Sequence, residues 1–102
     1  MNTRISYLYR DACNHKSFND TIVAGDLFID HLTPFLKDRL LFIPSKVGML
    51  DFQPNEWTED DHIWHELEKL EATQEDPTMN IAAEKLIEQF RIAHLNEWYE
   101  FS

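Results

Sequence analysis

The first part of the chain carries apolar residues in patterns that are typical of β-strands. Residues 5–9 alternate Ile, Tyr and Tyr with other side chains and are rich in strand-favouring types, which predicts a strand. The run 21–24 ends at Gly25 and predicts a second strand. We expect these two strands to pair as a hairpin across the polar connection 11–20.

Two later stretches have apolar residues spaced three and four apart, as on one face of a helix. The stretch 27–40 predicts a helix in which Pro34 either makes a kink or lies in the first turn, with Thr33 as the cap. The stripe over 83–94 predicts a C-terminal helix with Asn80 as its cap. The aromatic residues that follow this helix are expected to fold back onto the core.

The stretch 58–72 fits two structures. Thr58 and the acids after it resemble a helix N-terminus, and apolar residues with helical spacing follow. Ile63, His65 and Leu67 also alternate with polar neighbours, as in a strand that has one wet face. Periodicity alone favours the helix.

Length and composition predict a single domain over 1–102. The chain has 102 residues, of which 43% are hydrophobic, and this is enough for one core.

Cys13 is the only cysteine, so no internal disulfide can form and a reducing compartment is favoured. The start of the chain lacks the pattern of a signal peptide, and no apolar run is long enough to cross a bilayer. We therefore expect a cytoplasmic protein without a membrane partner.

The net charge of −10 is concentrated in the second half of the sequence. Residues 1–51 carry six basic and six acidic side chains, whereas the stretch 56–76 carries nine acids against Lys69 alone. Such a surface repels phosphate, so direct nucleic-acid binding is not expected. The stretch is either an ordinary solvated face or a docking surface for a basic partner.

The densest group of reactive side chains is Asp60, Asp61, His62, His65 and Glu66. On a helix, both imidazoles could reach one metal ion, whereas on a strand they would point to opposite faces. The HExxH order of zinc hydrolases is absent. A metal-dependent hydrolase with a His62, His65 and Glu66 site is therefore an alternative hypothesis. No other cofactor is predicted, because the two glycines are too far apart for a phosphate loop.

Three motifs carry a resemblance to a known group of proteins. They are Tyr9-Arg10-Asp11 with Asn14 and Lys16, Phe42-Ile43-Pro44 with Val47-Gly48, and Asp61-His62 with Trp64-His65-Glu66-Leu67. In this order and spacing they resemble a family of short, uncharacterised bacterial proteins to which no activity is attached. The resemblance implies a strand at 58–72 and implies no functional residues. We therefore predict an α+β fold, with a small antiparallel sheet of about three strands packed against two helices.

The leading hypothesis is a non-enzymatic protein–protein interaction module that uses an acidic face against a basic partner. An inhibitor or an immunity-type protein would fit this description. The residues predicted to bind the partner are Trp57, Glu59, Asp60, Asp61, Trp64, Glu66 and Glu68. A homo-oligomeric structural module with an apolar interface is a further alternative, because like-charged acidic faces repel each other.

Overall fold

A computed structural model describes residues 1–10, 15–50 and 64–98 of the chain. Its elements, in chain order, are β1 (Asn2–Arg10), β2 (Lys16–Val23), α1 (Ile29–Leu32), a 3-10 helix (Thr33–Phe35), β3 (Leu41–Phe42), a second 3-10 helix (Pro44–Val47), β4 (His65–Thr73) and α2 (Ala83–Leu95). No helix in these ranges is long and apolar enough to span a bilayer.

The strands form one antiparallel sheet in the order β2-β1-β4-β3. The α+β class is confirmed, but the expected count of about three strands is wrong, because the sheet has four. The additional strand is β3, a two-residue run that pairs with the first two residues of β4. So short a run shows no alternation in the sequence, and its pairing depends on β4 lying beside it.

The hairpin of β1 and β2 is confirmed, but β2 starts earlier than the pattern indicates. Residues 16–20, predicted as connection, pair in register with β1 from Lys16 opposite Arg10 to Asp20 opposite Ser6. These residues are mostly exposed, because β2 lies at the edge of the sheet. An edge strand can be polar on its exposed positions, so hydrophobic patterning does not mark where it begins.

The predicted helix over 27–40 is broken into shorter pieces. α1 has only four residues, and Pro34 lies in the first turn of the following 3-10 helix, with Leu32 rather than Thr33 as its cap. Asp38 and Arg39 then adopt φ angles of 52° and 61° in a tight turn that leads into β3. Proline has no amide hydrogen to donate, and its ring opposes a helix that continues from the preceding residues.

The C-terminal helix α2 is confirmed, but its cap is Ala82 and not Asn80. Ala82 forms an isolated bridge with Ala24, and the Ala83 amide donates to the Ala24 carbonyl at 2.8 Å. The chain is therefore held extended beside the end of β2 until residue 82, and the helix begins only after this contact.

The core lies between one face of the sheet and α2. Ile5 and Tyr7 from β1 and Leu86 and Phe90 from α2 are at most 1% exposed. The predicted return to the core is confirmed for Trp98, whose indole Nε1 donates to the Phe35 carbonyl at 2.7 Å, whereas Tyr99 and Phe101 lie outside the described residues. On the opposite side of α2, a hydrogen bond from Arg91 lowers the pKa of Glu88 and raises that of Arg91, as expected for a solvated helix face.

Candidate functional site

The residues predicted to bind a partner fall into two groups. Trp57, Glu59, Asp60 and Asp61 lie outside the described residues. Trp64, Glu66 and Glu68 lie just before or within β4, which confirms the strand predicted for 58–72 from His65 onward. These last three residues have quite different surroundings.

Trp64 is half-buried and belongs to the aromatic packing at the start of β4. Its ring lies edge to face with Trp98, with 6.2 Å between the ring centroids. The Lys37 Nζ lies 4.5 Å from the centroid of the Trp64 ring, a cation–π geometry. Trp64 is thus built into the fold while part of its surface stays accessible.

Glu66 is paired with a cation on the neighbouring strand. Arg10 donates to its carboxylate from Nε at 2.6 Å and from Nη2 at 3.2 Å, a bidentate arrangement. The Glu66 side chain is only 18% exposed. The pair connects β4 to β1. Because the charges of Arg10 and Glu66 largely cancel, Glu66 adds little net attraction for a basic partner.

Glu68 lies at a bulge in the sheet. The register between β1 and β4 shifts between Ser6 and Tyr7, which pair with Lys69 and Leu67, so Glu68 is the extra residue. Its side chain is exposed and has no hydrogen bond or ion pair within the part of the chain that the structure describes. Of the three described residues predicted to bind a partner, Glu68 is the one with an uncompensated, accessible charge.

Two depressions meet at Glu68. The first lies on the outer face of the sheet, the face turned away from the core. It has a volume of about 270 Å³ and is lined by Ser6, Phe18, Asn19, Asp20 and Glu68. The second, which we call the edge groove, has a volume of about 480 Å³ and runs between the segment 26–30 and β4. Each depression contains an exposed phenylalanine, Phe18 at 63% and Phe28 at 64% exposure.

The charges around the edge groove are mostly negative. Asp26, Asp30 and Glu68 line it, together with Lys69. The Lys69 ammonium is 3.1 Å from the Glu71 carboxylate, so these two charges balance each other. The carboxylate of Asp26 is 3.7 Å from the Met1 amino group, and all of these groups are exposed. The groove therefore presents a net negative potential to solvent.

Sequence reasoning missed the apolar residues of this site. Phe18 lies in the predicted polar connection 11–20, and Phe28 lies on the apolar stripe of the helix predicted over 27–40, which is broken into shorter pieces. Ile29, 42% exposed, lies beside Phe28 in the edge groove. Pro34 was the available signal, because a helix broken there cannot bury every apolar residue on the predicted stripe.

His65 does not face the same way as Glu66. It is 2% exposed and lies among aromatic rings, with its centroid 5.4 Å from Tyr9 and 6.1 Å from Tyr7. Consecutive strand residues point to opposite faces, and Glu66 pairs with Arg10 on the other side. His62 lies outside the described residues, and the described ranges hold no group of three or more His, Cys, Asp or Glu residues placed for a metal ion. The metal-site hypothesis gains no support here and stays a prediction.

Comparison with protein-family models, with curated proteins and with solved structures finds no match to this chain. The functional argument therefore depends on the geometry around Glu68.

Proposed function

We propose that this chain is a non-enzymatic protein-binding module whose acidic surface around Glu68 attracts a basic partner. The observation that carries the proposal is the position of Glu68, an exposed carboxylate with no ion pair to any described residue, between two depressions that each hold an exposed phenylalanine. Protein interfaces commonly combine apolar anchors with charges at the rim.

The two kinds of residue have separate roles in this proposal. Glu68 and Asp30 speed the encounter with a basic surface, an effect that salt screens over about 8 Å at physiological ionic strength. Phe18 and Phe28 supply apolar area that the partner covers after the encounter. The apolar contacts therefore govern how long the complex lasts.

Trp64 and Glu66 take a supporting role. The contacts of Trp64 with Trp98 and Lys37, and those of Glu66 with Arg10, fix the start of β4 and so set the position of Glu68. The finer form of the proposal is that the partner is a toxin or a nucleic-acid-binding enzyme and that the chain inhibits it. The reason is that such proteins present the basic surfaces that this one would cover.

Affinity capture with the full chain, at low and at moderate salt, tests the proposal. The comparison is between the wild type, Glu68→Lys, and the control Glu84→Lys, which makes the same charge change at an exposed position of α2. The wild type and the control are expected to capture the same basic protein, with less captured at moderate salt. Glu68→Lys is expected to lose it while keeping the wild-type melting temperature. Equal capture by Glu68→Lys and the wild type would show that the surface around Glu68 is only a solvated face.

A further inference from the structure

The two ends of β4 are bordered differently. β3 pairs with His65 and Glu66, and the Leu67 amide donates to the Leu40 carbonyl at 3.0 Å. Beyond Leu67, nothing in residues 1–10, 15–50 or 64–98 pairs with the side of β4 that faces away from β1. Residues 68–73, which we call the open edge, thus present a row of backbone donors and acceptors.

The open edge is regular enough to accept another strand. After the bulge at Glu68, five consecutive residues of β4 pair in register with β1, from Lys69 opposite Ser6 to Thr73 opposite Asn2. A single lysine and a bulge are common protection against uncontrolled edge pairing. Here Lys69 is already engaged with Glu71, so the protection of the edge by positive charge is weak.

The edge groove lies along the open edge on the core side of the sheet. It contains the exposed apolar residues Phe28 and Ile29 beside Leu70, which packs against the core. The other side of the edge carries Glu71, which pairs in register with Arg4 on the outer face. A strand added here would therefore find apolar contacts on one face and, on the other, the Glu68 carboxylate beside the balanced pair of Lys69 and Glu71.

We propose that the basic partner binds by adding an extended segment to the open edge as a new strand of the sheet. This inference rests on the proposed function and specifies the form of its partner. Side chains alternate along a strand, so the segment places apolar residues in the edge groove and lysine or arginine residues toward Glu68. Backbone hydrogen bonds supply affinity in this binding mode, and the alternate side chains supply specificity.

Charge decides between this occupant and a second copy of the chain. Two copies joined at their open edges would bring two acidic surfaces together, because the edge groove beside each open edge is negative and each chain carries a net charge of −10. A basic segment has the complementary sign. The edge of β2 is a poorer site, because its first residue is Lys16 and because Thr78 and Met79 donate to Ile22 near its end.

The test is titration of the isotope-labelled full chain with synthetic peptides, followed through backbone amide shifts. The first peptide alternates lysine and valine over about nine residues, the length of β4. Two further peptides have the same sequence and charge but carry N-methyl groups on alternate residues, one on the lysines and one on the valines. Only one set of amides in an added strand points toward the sheet. Methylation of that set is expected to weaken binding by about tenfold or more, and methylation of the other set is expected to change it little.

The shifts are expected at residues 68–73 and in the 26–30 segment, and Glu68→Lys is expected to weaken all three peptides. If both methylated peptides bind as well as the unmethylated one while Glu68→Lys still weakens them, strand addition is wrong and the acidic docking surface stands. If Glu68→Lys binds like the wild type, both proposals fail.

Shifts confined to residues 16–20 would place the peptide on β2 and overturn the inference. Light scattering on the chain alone should show a monomer. A dimer with its interface at 68–73 would mean that a second copy is the occupant and would also overturn the inference.

Discussion

The two halves of β4 show how one strand can serve both the fold and a partner. Its paired half, residues 65–67, has neighbours on both sides, and His65 and Leu67 are 2% and 5% exposed. Its open half, residues 68–73, pairs only with β1 within the described ranges and carries exposed charges. The bulge at Glu68 marks the boundary between the halves. Residues 65–67 are therefore held by packing, whereas the polar residues after them stay exposed.

The difference between the halves depends on what covers the sheet. The ring centroids of Phe90 in α2 and Phe42 in β3 are 5.5 Å apart, and Phe42 pairs with His65 in the paired half. Among the described residues, the open half has β1 on one side and the short segment 26–30 across the edge groove. Packing is therefore concentrated at one end of the strand, and the other end keeps its accessible surface.

The largest expected effect is that of Phe90→Ala, which removes the aromatic side chain packed over the paired half. Phe90 is fully buried and contacts both Phe42 and Trp98. Its loss should destabilise the fold by about 3–5 kcal/mol, measured by urea unfolding. Ile92→Ala, at a 40% exposed position of the same helix, is the matched control and should have a much smaller effect. Similar losses for the two variants would contradict the assignment of the core.

The second prediction compares one residue type in the two halves. Leu67→Ala should lower the free energy of unfolding by about 2–5 kcal/mol, because Leu67 is buried in the paired half. Leu70→Ala should have a clearly smaller effect, because Leu70 is only partly buried at the edge groove. Thermal unfolding of both variants measures the difference. Equal losses would show that the open half is packed as tightly as the paired half, and the comparison would fail.

The bulge also explains why the sequence of β4 favoured a helix. Leu67 and Leu70 both contact the core although they are three residues apart, because Glu68 adds one residue to the strand. A spacing of three is the expected mark of a helix and not of a strand. The strand was predicted there only through the resemblance to a protein family, and periodicity alone would have given the wrong element.

The sequence was most informative where local pattern and packing agree. β1 and α2 each bury the face that the spacing predicts, with Ile5, Leu86 and Phe90 in the core, although β1 also buries Leu8 on its other face. It was least informative at β3 and in the first part of β2, whose existence depends on neighbouring strands and not on their own side chains. The candidate site was predicted only in part, since Glu68 follows from charge, whereas the edge groove is formed by residues 26–30 folding beside β4.

The third prediction compares two glutamates of β4 that differ in their partners. Glu66→Gln should destabilise the fold by about 1 kcal/mol, because it leaves Arg10 without its half-buried carboxylate. Glu68→Gln should leave the free energy of unfolding unchanged within about 0.5 kcal/mol. Binding of the lysine–valine peptide should show the opposite order, with the larger loss for Glu68→Gln. If Glu66→Gln weakens the peptide more, the acidic contact lies nearer the paired half than we propose.

The smallest expected effect is a gain in stability from Glu97→Gly, at the C-terminus of α2. The helix ends in a Schellman motif, in which the Trp98 amide donates to the Ala93 carbonyl at 2.8 Å and the Glu97 amide to the His94 carbonyl at 2.9 Å. Glu97 has a φ of 56°, a left-handed conformation that disfavours side chains with a Cβ by about 1–2 kcal/mol. Glycine removes this strain but loses more entropy on folding, by roughly 0.5–1 kcal/mol, so the net gain should be at most about 1 kcal/mol.

Glu97→Ala is the control for this change, because it removes the same charge and keeps the Cβ. The melting temperature should rise by a few degrees for Glu97→Gly and less for Glu97→Ala, since about 1 kcal/mol shifts a domain of this size by roughly 4–8 °C. The turn positions Trp98 against Trp64 and Phe90, beside the paired half of β4, so peptide binding at the open edge should stay unchanged. An equal melting temperature for the glycine and alanine variants would show that the strain of the left-handed turn does not exceed the entropy that glycine loses on folding, and the predicted gain would be wrong. A change in peptide affinity would show that the two halves of β4 are coupled, and the open edge could then no longer be treated as separate from the core.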